Sequence, residues 1–416
     1  MYEPRSSSGD TDNVILHGAC CAFGPQGRIR ASIEIIAGRV NQILDGPGAS
    51  GSARTGNLPI DLNGFLVMPG LINAHDHLQF ALFPRLANPP YRNYIDWGSD
   101  IHDKFRDVIA KHGAVSKDVR LWWGGIRNVL CGVTTVCHHD CLWPELQRQD
   151  FPIRVVQEYG WGHSLALGGD LLKARLSTPE GRPFILHACE GVDEQAHAEL
   201  AGLDRLGLLD GLTVLVHGLA IDEAGLELVR KRRVSLIFCP SSNEFLFKRL
   251  PDMELLGTIK NVALGNDSPL TAQGDLLDEV RFASSFCDIR PDAIYRMVTE
   301  APAAVLRLVD HEGSIAVTGV GDLMAVRDNG QSGPERLKGL SMHDVEFVMV
   351  GGRVQLASET IMERLPEAAL QGLEPLWIDG TIRWLRAPVT QLLLKAEEVL
   401  GKGEVRLGGR TVRIPI

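Results

Sequence analysis

Two imidazoles set two residues apart, His75 and His77, close the apolar run Val67-Met68-Pro69-Gly70-Leu71-Ile72-Asn73-Ala74. In a strand alternate side chains share a face, so both rings point one way and Asp76 is turned aside. Such a pair can hold a metal ion between its rings. Three later segments end in a similar way. Pro183-Phe184-Ile185-Leu186 stops at His187, with Glu190 three residues further on. Leu212-Thr213-Val214-Leu215-Val216 stops at His217, and Asn261-Val262-Ala263-Leu264-Gly265 runs into Asn266-Asp267. Each stop is a group that can bind a metal or carry a proton.

The runs that carry these groups are short, rich in Leu and β-branched residues, and are followed by Gly, Pro or Ser, which is how a buried parallel strand reads. Polar residues at the carboxyl ends of successive buried strands are what a (β/α)8 barrel uses to build a site. A chain of 416 residues suits a barrel of roughly 250 residues plus a smaller domain. Residues 14 to 62 alternate strand patterns such as Ile33-Glu34-Ile35-Ile36 with Gly-rich turns such as Gly46-Pro47-Gly48. From Gly64 to about Asp322 the pattern is strand, loop and helix. Asp222 to Lys231, acidic at its start and basic at its end, reads as one of the helices. Strand patterns return at 321–326 and 345–353, and beyond 356 a short helix over 391–400 and a hairpin at Gly408-Gly409 are expected. The fold expected is α/β, a TIM-like barrel over 64–322 with one strand short or irregular, plus a small composite β-sandwich domain from 1–63 and 323–416.

A net charge of −10 argues against nucleic acid or an anionic membrane as partner and in favour of a small molecule. The polar Met1 to Asn13 segment has no apolar core, and no run of eighteen apolar residues follows, so a cytoplasmic protein is expected. Eight cysteines form no Cys-x-x-Cys pair. Cys137 and Cys141 flank His138, His139 and Asp140, but one strand cannot aim four consecutive side chains inward, which argues against a second metal site there.

Six pieces in order carry a resemblance: 69–77, Gly132-Val133-Thr134-Thr135-Val136, His187-Ala188-Cys189-Glu190, His217-Gly218, Cys239-Pro240-Ser241-Ser242-Asn243 and Gly265-Asn266-Asp267-Ser268. Over residues 14 to about 355 the chain resembles the amidohydrolase superfamily, in the branch of metal-dependent aminohydrolases of purines, pterins, cytosine and triazines. The resemblance implies that His75, His77, His187 and Asp267 ligate one divalent metal, and that Glu190 and His217 act on substrate and water. Bimetallic members carry a bridging lysine on the fourth strand; no lysine lies between Lys117 and Lys173, so one ion per chain is expected, zinc first and iron(II) second. The family also fits another strand and helix between 157 and His187, where only about thirty residues are available, and Trp161 to Leu167 is the remnant expected there.

A metal held by three histidines and a carboxylate makes water nucleophilic near neutral pH. Asp267 can take the proton of that water, His217 can orient it, and Glu190 can protonate a ring nitrogen and later the leaving group. Substrate contacts are expected from Gln79, Arg85 and Tyr91 in the aromatic, arginine-rich segment after the histidine pair, and from Trp161 and Asn243. Aromatic faces would stack a heterocycle, and Arg85 or Arg92 would suit a carboxylate. The reading is a hydrolase of carbon–nitrogen bonds that deaminates a nitrogen heterocycle or amidine. The alternatives are a cyclic-amide hydrolase of imidazolone type and a non-catalytic binding protein. Gly162-His163-Ser164-Leu165-Ala166 lacks the second glycine of a serine nucleophile elbow. Homo-oligomerisation is left open.

Overall fold

The computed structural model describes residues 13–46, 57–272 and 274–415. The expected Gly46-Pro47-Gly48 turn and nearly all of the polar leading segment lie outside the described residues. Strands β1 (Val14–Cys21), β2 (Ile29–Ile36), β3 (Arg39–Asp45), β4 (Leu58–Asp61) and β5 (Phe65–Pro69) come first. The strands of the middle region are β6 (Leu71–Asp76), β7 (Val133–His138), β8 (Arg154–Val155), β9 (Gly160–Gly162), β10 (Phe184–Ala188), β11 (Thr213–His217), β12 (Ser235–Phe238) and β13 (Val262–Leu264). Then follow β14 (Leu323–Arg327), β15 (Val345–Val350), β16 (Arg353–Ala357), β17 (Glu374–Ile378), β18 (Thr381–Leu385), β19 (Arg406–Leu407) and β20 (Arg410–Arg413).

The middle strands form two parallel sheets, β6-β7-β8 and β9-β10-β11-β12-β13. Main-chain bonds from Asn266 N and Asp267 N to His75 O, 3.0 and 3.1 Å long, join the chain after β13 to β6. Between β8 and β9 no strand ladder is found among the described residues, so the fold is α/β but the ladder does not run unbroken round a ring. The break falls where the sequence leaves least chain. β8 has two residues and β9 three, two of them glycines that have no side chain to pack. The expected remnant is present as β9, at the start of 161–167.

β6, β7, β10, β11 and β12 are buried at every position, the mark of strands covered on both faces. Ile72, Ala74, Ile185, Val214, Val216 and Ile237 pack together on one face. Leu71, Val133, Leu186, Leu215 and Leu236 pack on the other, with Trp123 and Ile126 of the helix Lys117–Leu130. The helix expected after Asp222 is Glu223–Arg232, with the Asp222 side chain accepting from Gly225 N.

One irregularity on β6 sets the direction of the histidine pair. Asn73 pairs with Val136 and Asp76 with His138, so three steps along β6 oppose two along β7. An extra residue shifts the alternation by one. Ile72 and Ala74 face the inner cluster before it, and His75 and His77 face the same way after it. Asp76 is turned outward, where it accepts from Arg127 Nη2 at 2.6 Å, Asn128 Nδ2 at 2.7 Å and Asn73 Nδ2 at 3.2 Å. Gly265 fits here because a Cβ on it would lie 2.8 Å from the His75 Cβ.

A twelve-stranded sheet, ordered β19-β20-β17-β18-β16-β15-β14-β5-β1-β2-β3 with β4 beside β1, draws strands from both parts of the chain. It has a core of its own around Leu16, Ile33, Phe65 and Phe347. β5 pairs with β14 and continues through Gly70 into β6. The residues after 356, which matched no part of the expected pattern, extend this sheet. The expected short helix is Val389–Leu400, and Leu392 O accepts from Trp123 Nε1 at 3.4 Å. The expected hairpin is β19–β20, from which Arg410 pairs with Asp275 at 2.8 Å and with Asp278.

Arg127 and Asp76 are 2% and 0% exposed at the side chain, so removing one leaves an unpaired buried charge. Arg127→Met should lower the unfolding free energy by about 3–5 kcal/mol. Denaturant titration checks this, and adding Asp76→Leu should recover most of the loss. A single variant as stable as the parent would show that the pair does not carry the structural role given to it.

Candidate metal centre

Four side chains from three strand ends converge. His75 comes from β6 and His77 directly follows it, His187 comes from β10, and Asp267 from the loop after β13, and one ligand atom from each lies within 4.8 Å of all the others. His75 Nε2 is 3.0 Å from His187 Nε2, and Asp267 Oδ1 is 3.5 Å from His75 Nε2 and 3.6 Å from His77 Nε2. The other Asp267 oxygen accepts from the Ser242 hydroxyl at 2.7 Å and the Thr271 hydroxyl at 2.9 Å. All four residues are buried.

Burial decides the charge of each group. It pulls His75 down to about 4 and lowers His77 and His217, and it drives His187 well below the ordinary imidazole value. The rings are therefore neutral near pH 7. Burial would raise Asp267, but the His75, His217 and His77 imidazoles outweigh it and hold its carboxyl well below the usual range. Two neutral imidazole nitrogens 3.0 Å apart beside a carboxylate bring three ligand atoms to one point, and His187 Nδ1 has no hydrogen-bond partner. A divalent cation resolves this convergence, and three nitrogens with one oxygen suit zinc.

Glu190 and His217 stand beside this cluster. His217 Nε2 is 3.6 Å from Glu190 Oε2 and 3.9 Å from Asp267 Oδ2. Its Nδ1 is 3.0 Å from Asn243 Oδ1, an acceptor, so Nδ1 carries the proton and Nε2 keeps a lone pair. Burial, then the Asp267 charge, push Glu190 well above the ordinary carboxylate value. Strand alternation would give His217 the face of Leu215. It reaches the centre with a left-handed backbone, φ 75°, and Asp267 does so with φ 56°.

The other expected contacts scatter. Asn243 holds His217, and Trp161 lies edge-on to His139 at 5.4 Å between ring centroids. Gln79 donates to Asp140, Arg85 stacks on Phe245 at 4.3 Å, and the Tyr91 hydroxyl donates to Asp100. None of these last three lines the cavity of about 230 Å³ above the cluster. That cavity is walled by Phe80, Phe83, Trp97, Ile101 and Leu270, with Glu190, His217 and Asp267 at its base. Trp97 and Ile101 come from the helix Tyr94–Lys104, whose start Asn93 caps by accepting from Ile95 N and Asp96 N.

His139 carried little weight in the sequence. Its buried ring lies 4.8 Å from that of His75 and 4.6 Å from that of His187, and neither nitrogen has a partner. Its neighbours turn elsewhere: His138 Nδ1 accepts from Leu78 N, and Asp140 pairs with Lys117 at 2.9 Å. Among the described residues no helix is long and apolar enough to cross a membrane.

The profile of the amidohydrolase family matches residues 175–355. A 5-methylthioadenosine/S-adenosylhomocysteine deaminase of Natronomonas pharaonis is 26% identical over 62% of this chain and 70% of its own. The protein of the same name from Pyrococcus furiosus is 32% identical over 62% of this chain and 75% of its own. A zinc-bound adenosine deaminase from Xanthomonas campestris shares the fold at a TM-score of 0.70, with 18% identity over 93% of this chain and 97% of that one. Relatedness over three quarters of the Pyrococcus protein, together with the family match over β10 to β16, means that this chain belongs to the amidohydrolase family and is a hydrolase acting on carbon–nitrogen bonds.

Proposed function

We propose that the protein is a metal-dependent deaminase of a small nitrogen heterocycle. The observation that carries this reading is the convergence of three imidazoles and one carboxylate, with a second buried carboxyl, Glu190, and the His217 ring beside them at the base of one cavity. Burial favours the protonated form of Glu190, the surrounding imidazoles favour the ionised form of Asp267, and the His217 Nε2 lies within 4 Å of both. Groups whose surroundings push their proton affinities apart divide the acid and base roles between them.

In this reading His75, His77, His187 and Asp267 hold one divalent ion, zinc. Bound there, the ion supplies a Lewis acid that makes water acidic near neutral pH. The lone pair on His217 Nε2 accepts a hydrogen bond from the attacking water and fixes its direction. Asp267 takes the proton of that water. Glu190 gives its proton to the ring nitrogen beside the carbon under attack, which draws electron density away from that carbon. Asp267 passes the water's proton to the exocyclic amine, which leaves as ammonia, and the new hydroxyl returns a proton to Glu190 as it becomes the oxo group, so an amino-substituted ring and water become an oxo-substituted ring and ammonia. Serving as proton carriers, Glu190 and Asp267 end the cycle as they began.

The two parallel sheets are read as arcs of one (β/α)8 barrel interrupted between β8 and β9. The twelve-stranded sheet is read as a second domain built from the two ends of the chain. On that reading the boundary lies at Gly70, since β5 belongs to the sheet.

Three outcomes test the mechanism. Elemental analysis of the purified protein should find close to one divalent ion per chain, and His187→Ala should lose most of it; two tightly held ions would overturn the single-metal reading. Glu190→Gln should keep the metal and the fold while kcat for ammonia release falls roughly 10²- to 10⁴-fold. A kcat within about threefold of the parent would sink the role given to Glu190. Because Glu190 acts in its protonated form and its proton affinity is raised, kcat/KM should fall as pH rises through its ionisation. The limb should vanish in Glu190→Gln, and its persistence there would assign it to another group. Formation of a new carboxylate without ammonia would select the cyclic-amide reaction instead.

A further inference from the structure

The walls of the cavity differ sharply from its base. Glu190, His217 and Asp267 are at the bottom, and among the described residues no lysine or arginine lines the space. Phe80 and Phe83 meet edge-on at 5.2 Å, and the Phe80 ring lies 6.1 Å from that of His77, so the apolar wall begins beside the histidine pair. Trp97, Ile101, Leu167 and Leu270 continue it.

Four cations of the neighbouring segment are engaged elsewhere. Arg85 lies over Phe245, Arg92 pairs with Asp96 at 2.8 Å, Lys104 pairs with Asp100, and Arg120 donates to the carbonyls of Val115 and Gln79. Several polar atoms on the walls are already engaged. The Tyr94 hydroxyl donates to Glu199 at 2.7 Å, the Thr271 hydroxyl donates to Asp267, and the Ser268 hydroxyl accepts from Leu270 N at 3.1 Å. His163 faces Ser164 Oγ at 3.0 Å through Nδ1, and His102 stands at the exposed rim.

We propose that the substrate is an uncharged heterocyclic amine whose ring carries an apolar substituent of a few carbons. This deepens the deaminase reading and rests on it. A carboxylate or phosphate on the ring substituent would lie against apolar walls where, among the described residues, no lysine or arginine meets it, and an unpaired buried charge is strongly disfavoured. A ribose would set hydroxyls against the Phe80, Phe83, Trp97, Ile101 and Leu270 faces, which offer them no hydrogen bonds. An alkyl or thioalkyl group gains from the same walls, by about fourfold in affinity per buried methylene. At about 230 Å³ the cavity lies below the roughly 300–1,000 Å³ of drug-sized sites, room for a ring and a short chain.

The test uses the full-length, zinc-loaded protein and three 4-aminopyrimidines that differ only in the ring substituent: n-butyl, carboxypropyl and ribosyl. Calorimetric titration gives each Kd, and ammonia release is measured separately on the same samples. The butyl compound should bind at least tenfold tighter than either of the others. Leu167 lines the cavity at a position that is 53% exposed, so replacing it should leave the fold intact. Leu167→Arg should narrow the butyl-to-carboxypropyl ratio by roughly tenfold, and Leu167→Ala should weaken the butyl compound a few-fold without helping the acid. Equal or tighter binding of the acid or the nucleoside, or no binding of the butyl compound, overturns the proposal. Tight butyl binding with no ammonia from any of the three would leave the binding preference standing and defeat the deaminase reading.

Discussion

The centre depends on one extra residue in β6. A regular strand continuing from Ile72 and Ala74 would send His75 and His77 outward toward the helices, and the irregularity before Asp76 reverses that. Asp76 then locks the register from the other side, because its carboxylate is held by Arg127 and Asn128 of the helix Lys117–Leu130. The residue between the two histidines is thus the anchor and the histidines are its projection. Main-chain bonds to His75 O fix Asp267 to the same strand, so three of the four converging groups share a single frame.

Dryness does the rest. The same removal of water that keeps the imidazoles neutral keeps Glu190 protonated, while Asp267 escapes only because it alone is surrounded by imidazoles and hydroxyls. No additional charged residue is needed to set these states. The apolar walls above serve this electrostatic arrangement as much as they serve binding, since solvent let in beside Glu190 would lower its proton affinity.

What could be read in the sequence was local. His75, His77, His187, His217 and Asp267 each close a run whose burial shows in its composition, and Glu190 follows one of them at a fixed short spacing. The expected strand remnant near Trp161 and the hairpin at Gly408-Gly409 were legible for the same reason, a pattern contained within a few residues. What could not be read depends on contacts across the chain. Arg85 and Tyr91 look like ligand-facing residues until Phe245 and Asp100 are seen to hold them. His139 looks like one of several consecutive polar residues until the turn after β7 aims it alone at the ligand rings. Trp97 and Ile101 lie on a helix whose position over the cavity depends on long-range packing, and the strands after 356 find their partners only across the sheet.

His217 and Asp267 have backbone conformations that favour glycine, yet both must carry a side chain for the centre to exist. Such torsions cost of order 1–3 kcal/mol each. The most chemically capable part of the molecule therefore carries backbone strain of its own. Stability and activity are opposed at these positions: substitutions that relax the backbone there would favour a more durable and inert protein, and only selection for turnover keeps the strained residues in place.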